Sequence, residues 1–270
     1  MSLARTLAAL SFAALAIAPA SAQITDFNAW TLIQDPPDPD LAATIATDGS
    51  KATLTATAPV ARTTSIGLAS INGQDVASST QGFFFDPANS FKIAVDFDAR
   101  TNAQNPPDTV FLFGFGVGEA TDRDNSVTTV FTWERADFFP TFFSVVDLAM
   151  VDGRSQWGSF LSASPGQGSL FVQYDAESGD VFTGFASDVN ATNPEIESAF
   201  PAIQNDWDEK RLIVSIYLHG GTGDNTTGGG IEATFSNFRV LDGTPIAIPE
   251  PASLTLLAAA AGLALTRRRA

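Results

Sequence analysis

Thirty carboxylates and a single histidine are what this chain offers for acid–base chemistry. Glycoside hydrolysis needs two carboxyl groups held about 5–10 Å apart, one of them kept protonated. Two pairs lie close together. Glu195 and Glu197 would share one face of a strand, but Asn193-Pro194 precedes them and the context reads as a loop. Glu134 and Asp137 have an odd separation, which places them on opposite faces of a strand. Neither pair has the geometry of a hydrolase. His219 closes an apolar run beside Gly220-Gly221. As a general base it would need a nucleophile and an orienting acid, so it reads as a surface residue at a strand end. There is no Gly-x-Ser-x-Gly elbow and no P-loop. The absence of cysteine excludes a thiol nucleophile, a disulfide framework and a Cys-ligated metal.

Oxygen ligands are the remaining metal chemistry, and they favour calcium. Thr121-Asp-Arg-Asp-Asn-Ser126 brings Asp122, Asp124 and Asn125 into one turn, but departs from an EF-hand loop at its fifth position and lacks the sixth-position glycine. Asp35, Asp38 and Asp40 lie on an extended proline-rich segment. Aspartate is common in turns for its own hydrogen bonds. No metal and no cofactor are therefore assigned, and calcium stays open with Asp122, Asp124 and Asn125 as its candidates. Sugar binding needs an aromatic platform beside polar side chains. Val151-Asp-Gly-Arg-Ser-Gln-Trp-Gly158 offers Asp152, Arg154 and Trp157, with Gln156, in one loop. Trp133 and Trp207 are alternatives, and a buried tryptophan is the ordinary use of each. Asn190-Ala-Thr and Asn225-Thr-Thr match the glycosylation pattern.

The elements that must position these residues are strands. Phe91, Ile93, Val95 and Phe97 alternate with Lys92, Asp96 and Asp98. Leu212, Val214, Ile216 and Leu218 alternate likewise, as do Leu170, Val172 and Tyr174, and Ala52, Leu54 and Ala56 against Thr53, Thr55 and Thr57. Period-two patterns of this kind are half-buried antiparallel strands. In Thr109-Val-Phe-Leu-Phe-Gly-Phe-Gly-Val-Gly118, a phenylalanine face opposes a face holding Gly114 and Gly116. The phenylalanine face reads as core; glycine on the other admits a close backbone or a ligand, or marks a bend. Turns rich in Gly, Pro, Asp and Asn separate the runs, which predicts an antiparallel β-sandwich or barrel over 23–241. Residues 242–248 read as a stem.

Net charge is −16, and the body is more acidic still, because Arg5 and Arg267–Arg269 lie in the end segments. Such a body repels nucleic acid and anionic lipid. The N-terminus has Arg5, an apolar run from Leu7 to Ala18, and Ala20-Ser21-Ala22. These are the three parts of a secretory leader over 1–22, with Gln23 as the mature start after cleavage at Ala20-x-Ala22. The C-terminus has Pro249-Glu250-Pro251, an uncharged stretch to Thr266, and Arg267-Arg268-Arg269. As a helix, that stretch would reach about 24 Å at ~1.5 Å per residue, short of the ~30 Å hydrocarbon core. It is a marginal span with its arginines on the cytoplasmic side.

This tail resembles the PEP-CTERM sorting signal of Gram-negative bacteria. Pro249, Glu250 and Pro251 match its motif, and Arg267, Arg268 and Arg269 its basic end. The resemblance covers 249–270. It implies a transient inner-membrane anchor, an exosortase-type membrane transpeptidase as partner, and delivery to the cell surface or extracellular matrix, often beside exopolysaccharide.

The body resembles a concanavalin-type jelly roll of the lectin and glucanase superfamily. The resemblance lies in Gly168–Ala186, read as two strands joined at Glu177-Ser178-Gly179, in Lys210–Val240, read as two long strands, and in the Phe235-x-Asn237-Phe238-x-Val240 ending. Glucanases of that superfamily carry a Glu-x-Asp-x-x-Glu strand, which this chain lacks. The expectation is an all-β, antiparallel, jelly-roll-like sandwich flanked by an N-terminal signal helix and a short C-terminal transmembrane helix. Its expected role is non-catalytic: structural or adhesive, with exopolysaccharide and no nucleic acid. The alternatives are a calcium-assisted, lectin-like carbohydrate-binding module and, third, a secreted glycoside hydrolase.

Overall fold

The computed structural model describes residues 24–35, 43–57, 64–101, 111–121, 124–134, 142–163, 166–203, 211–220 and 230–248. The leader, the tail and the helices expected for them lie outside these. Among the described residues no helix is long and apolar enough to cross a membrane. A 3-10 turn at Phe27–Ala29 opens the body, with Asp26 accepting from the Asn28 N–H at 2.9 Å. The strands are β1 (Thr31–Asp35), β2 (Ala43–Thr47), β3 (Lys51–Thr57), β4 (Thr64–Ala69), β5 (Gly82–Phe84), β6 (Phe91–Thr101), β7 (Phe111–Gly118) and β8 (Ser126–Glu134). There follow β9 (Phe142–Val151), β10 (Arg154–Ala163), β11 (Gln167–Asp175), β12 (Asp180–Ala186), β13 (Ile196–Phe200), β14 (Ile213–Gly220), β15 (Gly230–Asp242) and β16 (Ile246–Ile248).

Two seven-stranded antiparallel sheets form the sandwich. Sheet A runs β1-β4-β14-β7-β8-β9-β10, and sheet B runs β13-β12-β11-β6-β15-β3-β2. The chain is thus an all-β antiparallel sandwich, as its alternation predicts, and jelly-roll-like, as its resemblance implies. Phe91, Ile93, Val95 and Phe97 of β6 point inward with Phe235 of β15 and Leu170 and Val172 of β11. Phe113, Phe115 and Val117 of β7 and Val214, Ile216 and Leu218 of β14 meet them from sheet A. Rings interlock across the interface: Phe131 lies 4.9 Å from Phe97 and from Phe113, centroid to centroid. Trp30 is buried against Phe27, Phe83 and Phe238 and donates its indole N–H to the Ile24 carbonyl at 3.2 Å.

The glycine face of β7 is filled from within sheet A. Tyr217 of β14 is in register with both Gly67 and Gly114, and a Cβ at 114 would stand 2.6 Å from its ring. That close approach is what the glycines permit.

Two stretches differ from the sequence reading. Glu195-Ile-Glu-Ser198, read as a loop, enters a strand: Ile196–Phe200 is β13, paired with β12, and Phe200 is buried. Its alternation is real but too short to outweigh the preceding proline in sequence. The expected stem is laid against the body, where Ile246–Ile248 pair with β5 and Ile248 packs beside Ile71 and Ile213. The long strands β14 and β15 belong to opposite sheets.

One carboxylate breaks the apolar interior. Asp147 lies on the inward face of β9, in register with Thr129, and is 3% exposed. Burial pushes its carboxyl up, with the Ser198 and Thr183 hydroxyls of sheet B opposing the shift. Its Oδ1 and both hydroxyl oxygens are buried without a hydrogen-bond partner in good geometry. A raised folded pKa means that the folded state holds the proton more tightly than the unfolded chain. Stability from this group is therefore full below the unfolded value of ~3.9 and is lost as pH rises through the folded value. Asp147→Asn is expected to raise Tm at neutral pH by roughly 2–4 °C, the shift that about 1 kcal/mol produces in a domain of this size. The gain should shrink toward zero on acidification below about pH 4. A thermal melt at each pH measures it, and a gain independent of pH would show that ionisation of Asp147 is not the cost.

Candidate functional site

Alternation and register assemble a polar surface on the outer face of sheet B. Because Phe97, Phe235 and Ala52 point into the core, Asp96 and Asp98 of β6, Thr234 and Ser236 of β15, and Lys51 and Thr53 of β3 point out. Register aligns them in rows. One row is Gln167, Asp98, Thr234, Thr53 and Ala46; the next is Ser169, Asp96, Ser236 and Lys51. Of these, Gln167, Asp98, Thr234, Asp96, Ser236 and Lys51, together with Thr25, Ser50, Val189, Asn190 and Asn237, line an open depression of about 730 Å³.

A break in alternation completes the site. The β15–β6 register shifts between Ser236 and Arg239, and Asn237 there has a φ of 52°. This bulge reverses the parity of the strand. Phe238 consequently turns inward beside Trp30, and Arg239 turns outward opposite Ala94. Strict alternation would have exchanged the two.

Arg239 then pairs with Asp96 at 2.8 Å, with side-chain exposures of 17% and 6%. Asp96 Oδ1 also accepts from the Ser169 hydroxyl (2.6 Å) and the Asn190 N–H (3.1 Å), and Oδ2 accepts from the Asn237 amide (2.8 Å). The same groups hold the chain between β12 and β13. Arg239 donates to the Ala191 carbonyl at 3.0 Å, and Asn237 donates to Asn190 Oδ1 at 2.6 Å. The Asp188 carbonyl lies 2.9 Å from the Ser169 hydroxyl oxygen. Asn190 itself has a φ of 62°. Below the loop, Ala94, Phe171 and Ala186 form a small buried cluster that Ala191 and Leu241 cover. Burial works against the charged form of Asp96, but the bonds from Ser169, Asn237, Arg239 and Asn190 outweigh it. The carboxyl is held below the usual carboxylate range. Asp98 is paired with Arg100 through bonds of 2.6 and 3.2 Å.

The residues that the sequence singles out for binding do not gather at this depression. Asp152 and Gly153 form the two-residue turn of the β9–β10 hairpin, both with positive φ, as that tight connection requires. Asp152 and Arg154 are exposed, and Arg154 and Trp157 are strand residues of β10, at the edge of sheet A. Of the calcium candidates, Asp122 lies outside the described residues, while Asp124 and Asn125 brace that hairpin. Asn125 Oδ1 accepts from the Asp152 N–H at 2.9 Å, its amide donates to Glu119 at 2.7 Å, and the Asp124 carbonyl accepts from the Gly153 N–H at 3.0 Å. Among the described residues no group of three or more His, Asp or Glu could hold a metal ion. Glu195 accepts from the Ser187 hydroxyl at 2.8 Å, and Glu195 and Glu197 are exposed. His219 is the penultimate residue of β14, in register with Ser65 and Leu112. Asp35 ends β1, Glu134 ends β8, and Trp133 pairs with Phe111 and Phe143. Asp38, Asp40, Asp137, Trp207, the cleavage residues Ala20, Ala22 and Gln23, and the tail residues Pro249–Pro251 and Arg267–Arg269 lie outside the described residues.

Chemically, the depression offers hydrogen bonds, and the two carboxylates that line it, Asp96 and Asp98, are each paired with an arginine. Asp96 is held ionised with both oxygens occupied. The carboxyl that is pushed up, Asp147, lies between the sheets. A hydrolase needs these two states side by side at one cleft.

No protein-family model matches the chain, and no curated protein does. Several solved structures are similar to it. One is a functionally unknown protein from Saccharomyces cerevisiae, 13% identical over 80% of this chain and 97% of the other, with a TM-score of 0.44. Another is the CBM2 module of the evolved Dit of Lactobacillus casei BL23 phage J-1, 8% identical over 82% and 95%, with a TM-score of 0.43. Winged bean acidic lectin complexed with methyl-alpha-D-galactose is 13% identical over 77% and 93%, with a TM-score of 0.40. At these identities and scores the likeness carries no residue, ligand or activity across.

Asp96→Ala would strand the Arg239 guanidinium and is expected to cost about 3 kcal/mol in urea unfolding at neutral pH. With a depressed folded pKa, the wild-type contribution is full above the unfolded value of ~3.9 and is lost as pH falls through the folded one. The stability of Asp96→Asn should therefore fall less steeply between about pH 5 and pH 2 than that of wild type. Parallel acid limbs would remove the ionic role assigned to Asp96.

Proposed function

We propose that this chain is an exported, non-catalytic β-sandwich that adheres to extracellular polysaccharide through the outer face of sheet B. The observation that carries the reading is the depression itself. Amide and hydroxyl side chains of Gln167, Asn190, Thr234, Ser236 and Asn237 line it, a loop locked by Asp96 and Arg239 walls it, and its two carboxylates, Asp96 and Asp98, are each paired with an arginine. Donors and acceptors fixed before binding suit a ligand that is mostly hydroxyl groups, because little ordering is left to do on contact.

The lining favours adhesion over a tight lectin site. Phe97 and Phe238 reach the depression from strands whose rings are buried in the core. Among its lining residues there is thus no exposed ring for a sugar to stack on. Many weak contacts along a polymer still hold a protein in place through multivalency. Of the calcium candidates, Asp124 and Asn125 brace the β9–β10 hairpin, and the two carboxylates that line the depression, Asp96 and Asp98, are each paired with an arginine. Delivery follows from the ends of the sequence: a leader over 1–22 for export, and a tail over 249–270 for anchoring at the inner membrane and removal by an exosortase-type transpeptidase. The destination is the cell surface or extracellular matrix.

Co-sedimentation of the purified protein with the producing cell's own exopolysaccharide tests the reading, with calcium and then with chelator. The expected result is weak association that is unchanged by chelator. It should be reduced severalfold by Ser236→Arg, which crowds the depression beside Asp96. Association equally strong in Ser236→Arg would move the site elsewhere, and loss with chelator would favour the calcium-assisted module.

A further inference from the structure

We infer that the polysaccharide is a neutral one, recognised by its hydroxyl groups and not by acid groups. The inference rests on the glycan reading above and narrows it. It follows from how the charges of this face are closed off. Asp96 has its own guanidinium in Arg239 at 2.8 Å, and Asp98 has Arg100 at 2.6 Å. A guanidinium already engaged by a carboxylate is a poor trap for a second one, since capture would strip the first of its partner.

The surface between the two pairs is uncharged. Thr234 and Ser236 follow one another along β15, and Thr53 lies beside Thr234, with the two hydroxyl oxygens 3.1 Å apart. Neighbouring strands stand ~4.8 Å apart, and outward residues of one strand repeat every ~6.7 Å. Hydroxyl groups therefore recur on the scale of a sugar residue. Lys51 is exposed at one end of its row. A lone exposed lysine contributes little against the field of a chain with a net charge of −16. A polyanion is repelled before it reaches this face, whereas a neutral chain does not feel that barrier.

Affinity electrophoresis of the full exported chain tests this, in native gels cast with laminarin or galactomannan as neutral probes and alginate as the polyanion. Runs at about 10 mM and about 100 mM salt shorten the Debye length from ~30 Å to ~10 Å. The expected result is retardation in a neutral gel that changes less than about twofold with salt, since no counterion is released. No retardation is expected in alginate at the lower salt. Wild-type retardation in alginate stronger than in both neutral gels would overturn the inference and leave the glycan reading standing. Retardation in none of the three gels would sink the glycan reading and this inference with it.

Discussion

The exterior of sheet B is organised around a carboxylate that has been taken out of water. Asp96 is 4% exposed although it sits on an outward face. A lone charge there would be costly, and the structure meets that cost with four donors from three separate chain segments. Ser169 comes from β11, Asn237 and Arg239 from the β15 bulge, and Asn190 from the β12–β13 loop. None of these donors is a sequence neighbour of Asp96. Their convergence ties three adjacent strands to a loop that would otherwise have little apolar surface to hold it. The wall of the depression is thus a consequence of satisfying one buried charge.

The bulge in β15 links that charge to the hydrophobic core. Its shift of parity turns Phe238 into the ring cluster of Trp30 and Phe83, and by the same step turns Arg239 out to Asp96. Core packing and surface electrostatics therefore depend on a single backbone feature, the positive φ of Asn237. A residue without the tolerance of asparagine for that region would strain the turn, and both ends of the linkage would feel it. Sheet A shows the complementary arrangement. Its outward glycines make room for Tyr217, while its inward face carries a carboxyl, Asp147, that opposes the interior.

Much of this fold was legible in the sequence because period-two alternation is a direct image of a half-buried strand. The inward sets on β3, β6, β7, β11 and β14 were readable residue by residue, and so was the shared outward face of Asp96 and Asp98. β13 was not, because five residues after a proline carry too little periodicity, and the pairing of β16 depends on a partner in β5 that is distant in sequence. The site was readable only in part. Phe235 and Phe238 are both apolar and three apart, a spacing that an unbroken strand cannot bury on one face. That spacing is the mark of the bulge, and it points to Arg239. Nothing local marks Ser169 or Asn190, whose roles come from register across β11 and from the return of a loop. The Asp152–Trp157 segment attracted attention for its composition, yet its Asp-Gly pair is explained by the geometry of a tight hairpin.

The acidity of the body and the neutrality of its polar face answer different demands. A protein carrying −16 stays dispersed among other chains and away from phosphate-rich surfaces. The same field would defeat any contact made through unpaired acids on a crowded, charged matrix. Closing Asp96 onto Arg239 and Asp98 onto Arg100 removes the local field where the strands present threonine and serine. Contact is then left to hydrogen bonds, which are short-ranged, individually worth about 1 kcal/mol net, and indifferent to salt. A surface built in this way gains strength by repetition along a polymer, and not from a deep pocket. That is the physical form expected of adhesion to a hydroxyl-rich matrix.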